Sequence, residues 1–160
     1  MKFTITASSD ERDLIQCAQL MSETDPWITL QRDYNSCMDA MHGDYKEVYI
    51  VKRNYQVLGF IVLQMAGVFK GYIQSICVSP DARSSGIGTE LIRFAEKRIF
   101  SVSPNVFMLV STFNTKAADL YFRLGYKKIG ILENFAADGL DEFLLRKTIG
   151  SLKSFSSTNR

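Results

Sequence analysis

Val78-Ser79-Pro80-Asp81-Ala82-Arg83-Ser84-Ser85-Gly86-Ile87-Gly88 joins the end of a strand-like run to the start of an amphipathic helix pattern. A helix start exposes unpaired N–H groups and the positive end of the helix dipole. Glycines let a phosphate reach that backbone with no Cβ in the way. Arg83 offers a charged fork, and Ser84 and Ser85 offer hydroxyl donors. Together these groups suit a pyrophosphate. GxxxxGK[ST] is absent, and Leu91 stands where the third glycine of GxGxxG would be. A glycine-rich strand–helix turn with no ligand fits the same residues.

A second segment runs from Asn114 to Tyr126. Asn114 can cap a helix or bond a ligand amide. Ala117, Leu120, Tyr121 and Leu124 form an apolar stripe, and Gly125 stands where a C′ glycine belongs. Tyr121 on that stripe would pack its ring while its hydroxyl sought a partner. An ordinary core tyrosine has the same pattern.

The elements that must position these groups follow an α/β pattern. Phe3, Ile5 and Ala7 alternate as a strand. Ser8-Ser9-Asp10-Glu11 marks a helix start, and a second helix is expected from about Asp33 to Met41. Val48–Val51, Val57–Met65 and Tyr72–Val78 read as three antiparallel strands. The order then becomes strand, helix, strand, helix, with a helical face at Ile87, Leu91, Phe94 and Ala95. Val106–Val110 reads as a buried strand. Lys127–Leu132 and Phe143–Leu145 close the fold through Asp138-Gly139. One domain over residues 1–150 is expected, with residues 151–160 as a mobile tail.

Composition narrows the function classes. The chain has 160 residues, 46% of them hydrophobic and 22% charged, as in an ordinary globular domain. No apolar run approaches the ~18 residues of a membrane span. Cys17, Cys37 and Cys77 are widely spaced, form no CxxC, and have only His42 for company. Neither a disulfide scaffold nor a metal site is expected. A reduced, cytoplasmic protein is the reading. Residues 1–44 carry 3 basic and 8 acidic side chains, and the rest carry 16 and 9. The second part would favour a polyanion and the first a cation, although solvated charge gives the same totals. Basic residues never cluster, so no nucleic acid is expected.

Taken together, the two segments resemble the GCN5-related N-acetyltransferase superfamily. Its acetyl-CoA motif, Arg or Gln, two residues, Gly, one residue, Gly or Ala, matches Arg83, Gly86 and Gly88. Its second motif matches Asn114, Ala117, Leu120, Tyr121, Leu124, Gly125 and Tyr126. The likeness covers about residues 45–147 and comes nearest the ribosomal-protein alanine acetyltransferase branch. It implies a mostly antiparallel mixed α/β sheet of about seven strands, splayed between strands four and five and flanked by about four helices. It also implies acetyl transfer from the CoA thioester directly to a primary amine. Ile76, Cys77 and Val78 would pair with the pantetheine arm, with the Val78 N–H on the thioester oxygen. Arg83, Ser84, Ser85, Gly86, Ile87, Gly88 and Thr89 would bind the pyrophosphate, and Asn114 the cofactor arm. Tyr121 would protonate the departing thiolate. The alternatives are a non-catalytic acyl-CoA-binding regulatory module and an unrelated nucleotide-phosphate binder.

The resemblance implies an acceptor amine on a small molecule or at a peptide or protein N-terminus, and a monomer or homodimer is expected. Where relatives place a catalytic Glu, this chain has Tyr72 or Leu109. An α-amine near ~7.7–8.0 needs less help in losing its proton than a lysine near ~10.4. Glu47 and Glu142 are the substitute proton acceptors, although strand carboxylates are usually solvated. By resemblance, the first two helices wall the acceptor pocket, which singles out Asp25, Trp27, Tyr34 and Asp39, with Tyr72 facing them. Trp27 could equally fill the core.

Overall fold

A computed structural model describes residues 3–158. Strand β1 (Ile5–Ala7) leads into α1 (Glu11–Ser22) and α2 (Tyr34–Met41), with N-caps at Asp10 and Asp33. Each cap carboxylate accepts a backbone N–H of the first turn, which settles where the helix starts. Then come β2 (Lys46–Arg53), β3 (Gln56–Gln64) and β4 (Tyr72–Val78), a 3-10 turn at Pro80–Ala82, and α3 (Ile87–Phe100). The chain continues through β5 (Asn105–Ser111), α4 (Thr115–Arg123), β6 (Lys127–Ala137) and β7 (Leu140–Thr148) to α5 (Leu152–Thr158).

Among the described residues, seven strands form one sheet in the order β1-β2-β3-β4-β5-β7-β6. Every pairing is antiparallel except β4 with β5. Strand β3 is apolar nearly throughout because helices cover both of its faces. Val57, Phe60 and Val62 pack with Leu14, Cys17 and Cys37 from α1 and α2. Leu58, Ile61 and Leu63 pack with Ile87, Leu91 and Ile92 of α3. A Cβ at Gly59 would lie 2.9 Å from Ile87 Cγ2. That glycine lets the start of α3 settle against the sheet beside the end of β4.

Among the described residues there are five α-helices: α1 to α4, in keeping with the expected four or so, and a short α5. That last helix lies in the segment expected as a mobile tail. Ser151 Oγ accepts the Ser154 N–H at 3.1 Å and starts it.

Candidate active site

Strands β4 and β5 pair at only two positions, Tyr72 with Phe107 and Ile73 with Met108. From there to Val78 and Ser111 the two strands no longer pair with each other. A bulge sits at the point of parting: Val62 faces Ser75 and Leu63 faces Ile73, which leaves Gln74 as the extra residue. The Gln74 amide donates to the Ala40 carbonyl at 3.1 Å and ties the bulge to the end of α2.

The phase of the ladder shows which backbone groups face the gap. Ser79 N–H donates to Leu58 O at 2.8 Å, so residues 75, 77 and 79 turn their polar groups toward β3. The N–H and C=O of Ile76 and Val78 therefore turn toward the gap. Cys77, one of the three residues expected to pair with a ligand arm, has its backbone in the β3 ladder instead. Its side chain is buried, and burial pushes the thiol up to about 12. A thiol held that strongly is no nucleophile at neutral pH.

The gap opens into a cleft of about 290 Å³. Tyr121 of α4 lines it, is 7% exposed, and has no hydrogen-bond partner for its hydroxyl among the described residues. Burial raises its phenol to about 12, with the neighbouring Cys77 thiol adding to the effect. Asn114, also on the cleft, is the N-cap of α4, yet its side chain makes no capping bond. Both residues present unused polar atoms where β4 and β5 diverge.

The glycine turn lies beyond the end of β4. Ser84 and Gly86 have φ of 61° and 89°, and Gly86 is the N-cap of α3, with no side chain to cap it. Among the described residues, the N–H groups of 84–89 donate no hydrogen bond. A Cβ on Gly86 would meet nothing within 4 Å, so the space in front of these donors is open. Arg83 is exposed beside them, and its side chain has no partner among the described residues. The Ser85 hydroxyl is taken up by the Ala82 carbonyl, which closes the turn, so it is not the free donor that the sequence suggests. Backbone amides, helix dipole and guanidinium together fit a pyrophosphate.

The far end of the cleft joins residues distant in sequence. Tyr72 and Trp27 line it, together with Arg32, Ser111 and Glu142. Tyr34 does not: it is 37% exposed at the outer start of α2, with its hydroxyl 3.9 Å from Met38 Sδ. Asp25 caps Thr29 of its own loop, and neither it nor the exposed Asp39 lines the cleft. Glu47 pairs with Arg98 at 2.6 Å and lies outside the cleft. Glu142 is no solvated strand carboxylate. It is 6% exposed, because β7 lies between β5 and β6 with Ser111 directly opposite. Ser111 Oγ donates to Glu142 Oε1 at 2.9 Å. Burial raises the Glu142 carboxyl above the ordinary range, opposed by the Ser111 hydroxyl and the Arg32 guanidinium. Burial likewise pushes Tyr72 up to about 12, and the Glu142 charge adds to it.

A model described as the acetyltransferase (GNAT) family matches residues 12–126. The chain belongs to that family. An N-alpha-acetyltransferase of Sulfurisphaera tokodaii is 36% identical over 80 residues. Those residues are 49% of this chain and 48% of that protein, so the match spans about half of the relative. Among solved structures, the ribosomal-protein-S18-alanine N-acetyltransferase from Escherichia coli aligns with TM-score 0.73 and 18% identity. That alignment covers 94% of this chain and 96% of that one. An aminoglycoside 6'-N-acetyltransferase complexed with coenzyme A aligns with TM-score 0.71 and 19% identity, over 92% and 98%. At such identities the likeness is one of fold, and the fold is the GNAT fold.

Two residues of this GNAT cleft escaped the sequence reading or were undervalued by it. Arg32 is a lone loop arginine with no motif around it. Glu142 lies beyond the matched residues 12–126, and only the β5–β7 register reveals what it faces. Among the described residues, no cluster of three or more His, Cys, Asp or Glu is placed to hold a metal ion, and no helix could cross a membrane.

Proposed function

We propose that the chain is an acetyl-CoA-dependent N-acetyltransferase that passes an acetyl group directly to a primary amine within a ternary complex. One observation carries this reading: β4 parts from β5 so that the backbone groups of Ile76 and Val78 turn toward a gap, and the cleft there is lined by Ile76 and the unpartnered Tyr121. Acetyl-CoA supplies an acyl group activated as a thioester. Arg83 and the backbone of Ser84, Ser85, Gly86, Ile87, Gly88 and Thr89 bind its pyrophosphate. Ile76 and Val78 hold the pantetheine arm as an added strand would be held, and Asn114 contacts the same arm. The Val78 N–H donates to the acyl oxygen and stabilises negative charge there.

Tyr121 is the general acid. Its phenol is fully protonated at neutral pH and holds the proton at Oη. A thiol of ~8.5 in water would be a weak claimant for that proton. In the buried cleft the thiolate is desolvated by the same surroundings that raise the phenol, which narrows the mismatch. Cys77 stays a neutral thiol, which supports direct transfer over a covalent enzyme intermediate.

Trp27 and Tyr72 wall the acceptor end. The 36% identity to an N-alpha-acetyltransferase over 80 residues supports an α-amine as acceptor, at a peptide terminus or on a small molecule.

The test is thiol release from acetyl-CoA across a panel of amines, with Tyr121→Phe as the control. Amine-dependent release that falls ~10²- to 10⁴-fold in the variant is the expected result. Acetyl-CoA binding without release for any amine would instead indicate a regulatory binding module.

A further inference from the structure

Among the described residues, four charged or titratable side chains face the cleft: Arg32 from the loop after α1, Tyr72 from β4, Tyr121 from α4 and Glu142 from β7. Glu142 is the only carboxylate and Arg32 the only guanidinium. They form no ion pair with each other, and Arg32 has no hydrogen-bond partner for its side chain among the described residues. Glu142 Oε1 accepts the Ser111 hydroxyl, and Oε2 has no hydrogen-bond partner among the described residues. Glu142 is nearly buried and Arg32 is exposed at the cleft wall, and neither side chain's charge is matched by an ion pair there, so both are available to a ligand in the cleft.

We propose that Glu142 takes the proton from the attacking amine while Arg32 binds a carboxylate of the same acceptor, so that the acceptor is an amino-carboxylate. A free α-amino acid or a peptide with an acidic early residue offers this chemistry. The inference rests on the acetyl-transfer reading above and adds the proton acceptor and the substrate class. The apolar rings and side chains of Trp27, Leu30 and Phe135 at the same end suit an apolar side chain on the acceptor. Polycationic acceptors do not suit the cleft, because its one carboxylate is offset by Arg32.

The step balances. The amine nitrogen bonds to the acyl carbon as the C–S bond breaks. The nitrogen gives a proton to Glu142 Oε2, and the sulfur takes one from Tyr121 Oη. Glu142 then releases its proton to solvent and Tyr121 regains one. Glu142 must be ionised to act, so the rate falls as pH drops through its pKa. Burial moves that limb up from the ordinary carboxylate range, and Ser111 and Arg32 hold it back.

The experiment measures kcat and KM against pH for an apolar α-amino acid and its amide, for dipeptides with acidic and amidated second residues, and for an aminoglycoside. The proteins are wild type, Glu142→Gln and Arg32→Ala, each also melted with and without acetyl-CoA. Glu142→Gln should lower kcat ~10²- to 10³-fold, abolish the acid limb, and keep the acetyl-CoA melting shift. Arg32→Ala should raise KM for amino-carboxylates about 10- to 100-fold and leave KM for the amides unchanged. Preference for the free amino acid or for the acidic dipeptide identifies the source of the carboxylate. An unaltered pH profile in Glu142→Gln overturns the proposed base. Equal use of acids and amides by the wild type, or preference for the aminoglycoside, overturns the substrate class. Failure to turn over any amine while acetyl-CoA still binds overturns the acetyl-transfer reading itself.

Discussion

The two ends of the site are built in opposite ways. The cradle at 84–89 is one contiguous turn whose donors are backbone N–H groups, oriented by a left-handed glycine and a helix start. The acceptor end is made of side chains from a loop, β4, β5 and β7, brought together by the order of the sheet. Backbone donors suit a ligand portion that never varies, because substitution of most side chains leaves them in place. Side chains on four elements suit the portion that distinguishes one substrate from another, because each can change without breaking the fold.

Tyr121 lies where the two ends meet, and its replacement should have the largest effect. Tyr121→Phe should lower kcat ~10²- to 10⁴-fold, with little change in acetyl-CoA affinity measured by calorimetry. A comparable loss of affinity would mean that the two ends are not separable. Gly86→Val comes next. Its left-handed φ costs a residue with a Cβ ~1–2 kcal/mol, more when branched. Acetyl-CoA affinity should fall about 10-fold or more with KM for the amine unchanged, read from initial rates at saturating acetyl-CoA.

Stability distinguishes the two candidate carboxylates. Glu142 has a raised folded-state pKa, so the folded protein holds that proton more tightly than the unfolded chain. Its contribution is greatest below the unfolded pKa and is lost as pH rises through the folded one. Glu142→Gln should therefore melt slightly above wild type at pH 8, with the difference shrinking toward pH 4. Glu47 shows the reverse. Burial raises its pKa, but the Arg98 and Tyr49 hydrogen bonds lower it further, to a net decrease. Its contribution is present above the unfolded pKa and is lost as pH falls through the folded one. Glu47→Gln should cost at most about 1 kcal/mol in urea unfolding at pH 7 and leave kcat alone, the smallest effect of the series.

Legibility in the sequence follows the same division. The cradle could be read because strand end, arginine and glycines are adjacent in the chain. Tyr72–Val78 is the same strand in sequence and structure, and Gly125 follows α4 with its expected positive φ. The parting of β4 from β5 was legible only through family resemblance, since no local residue pattern encodes it. Glu142 looked solvated because a strand carboxylate says nothing about the strand across from it. The Ser111 register and the β5-β7-β6 order decide its burial. Tyr34 and Asp39 were placed near the pocket by their helix, but the outward faces they occupy keep them from it. Arg32 carried no signal, because a loop residue gains meaning only from what the loop folds against.

The most direct test is calorimetric titration of the wild-type chain with acetyl-CoA and, separately, with ADP. Both should bind, and acetyl-CoA markedly more tightly, because the pantetheine arm pairs with Ile76 and Val78 in the gap. Equal affinities would mean that the parted strands take up nothing. The turn at 84–89 would then be a phosphate seat alone, contradicting the proposed acetyl transfer.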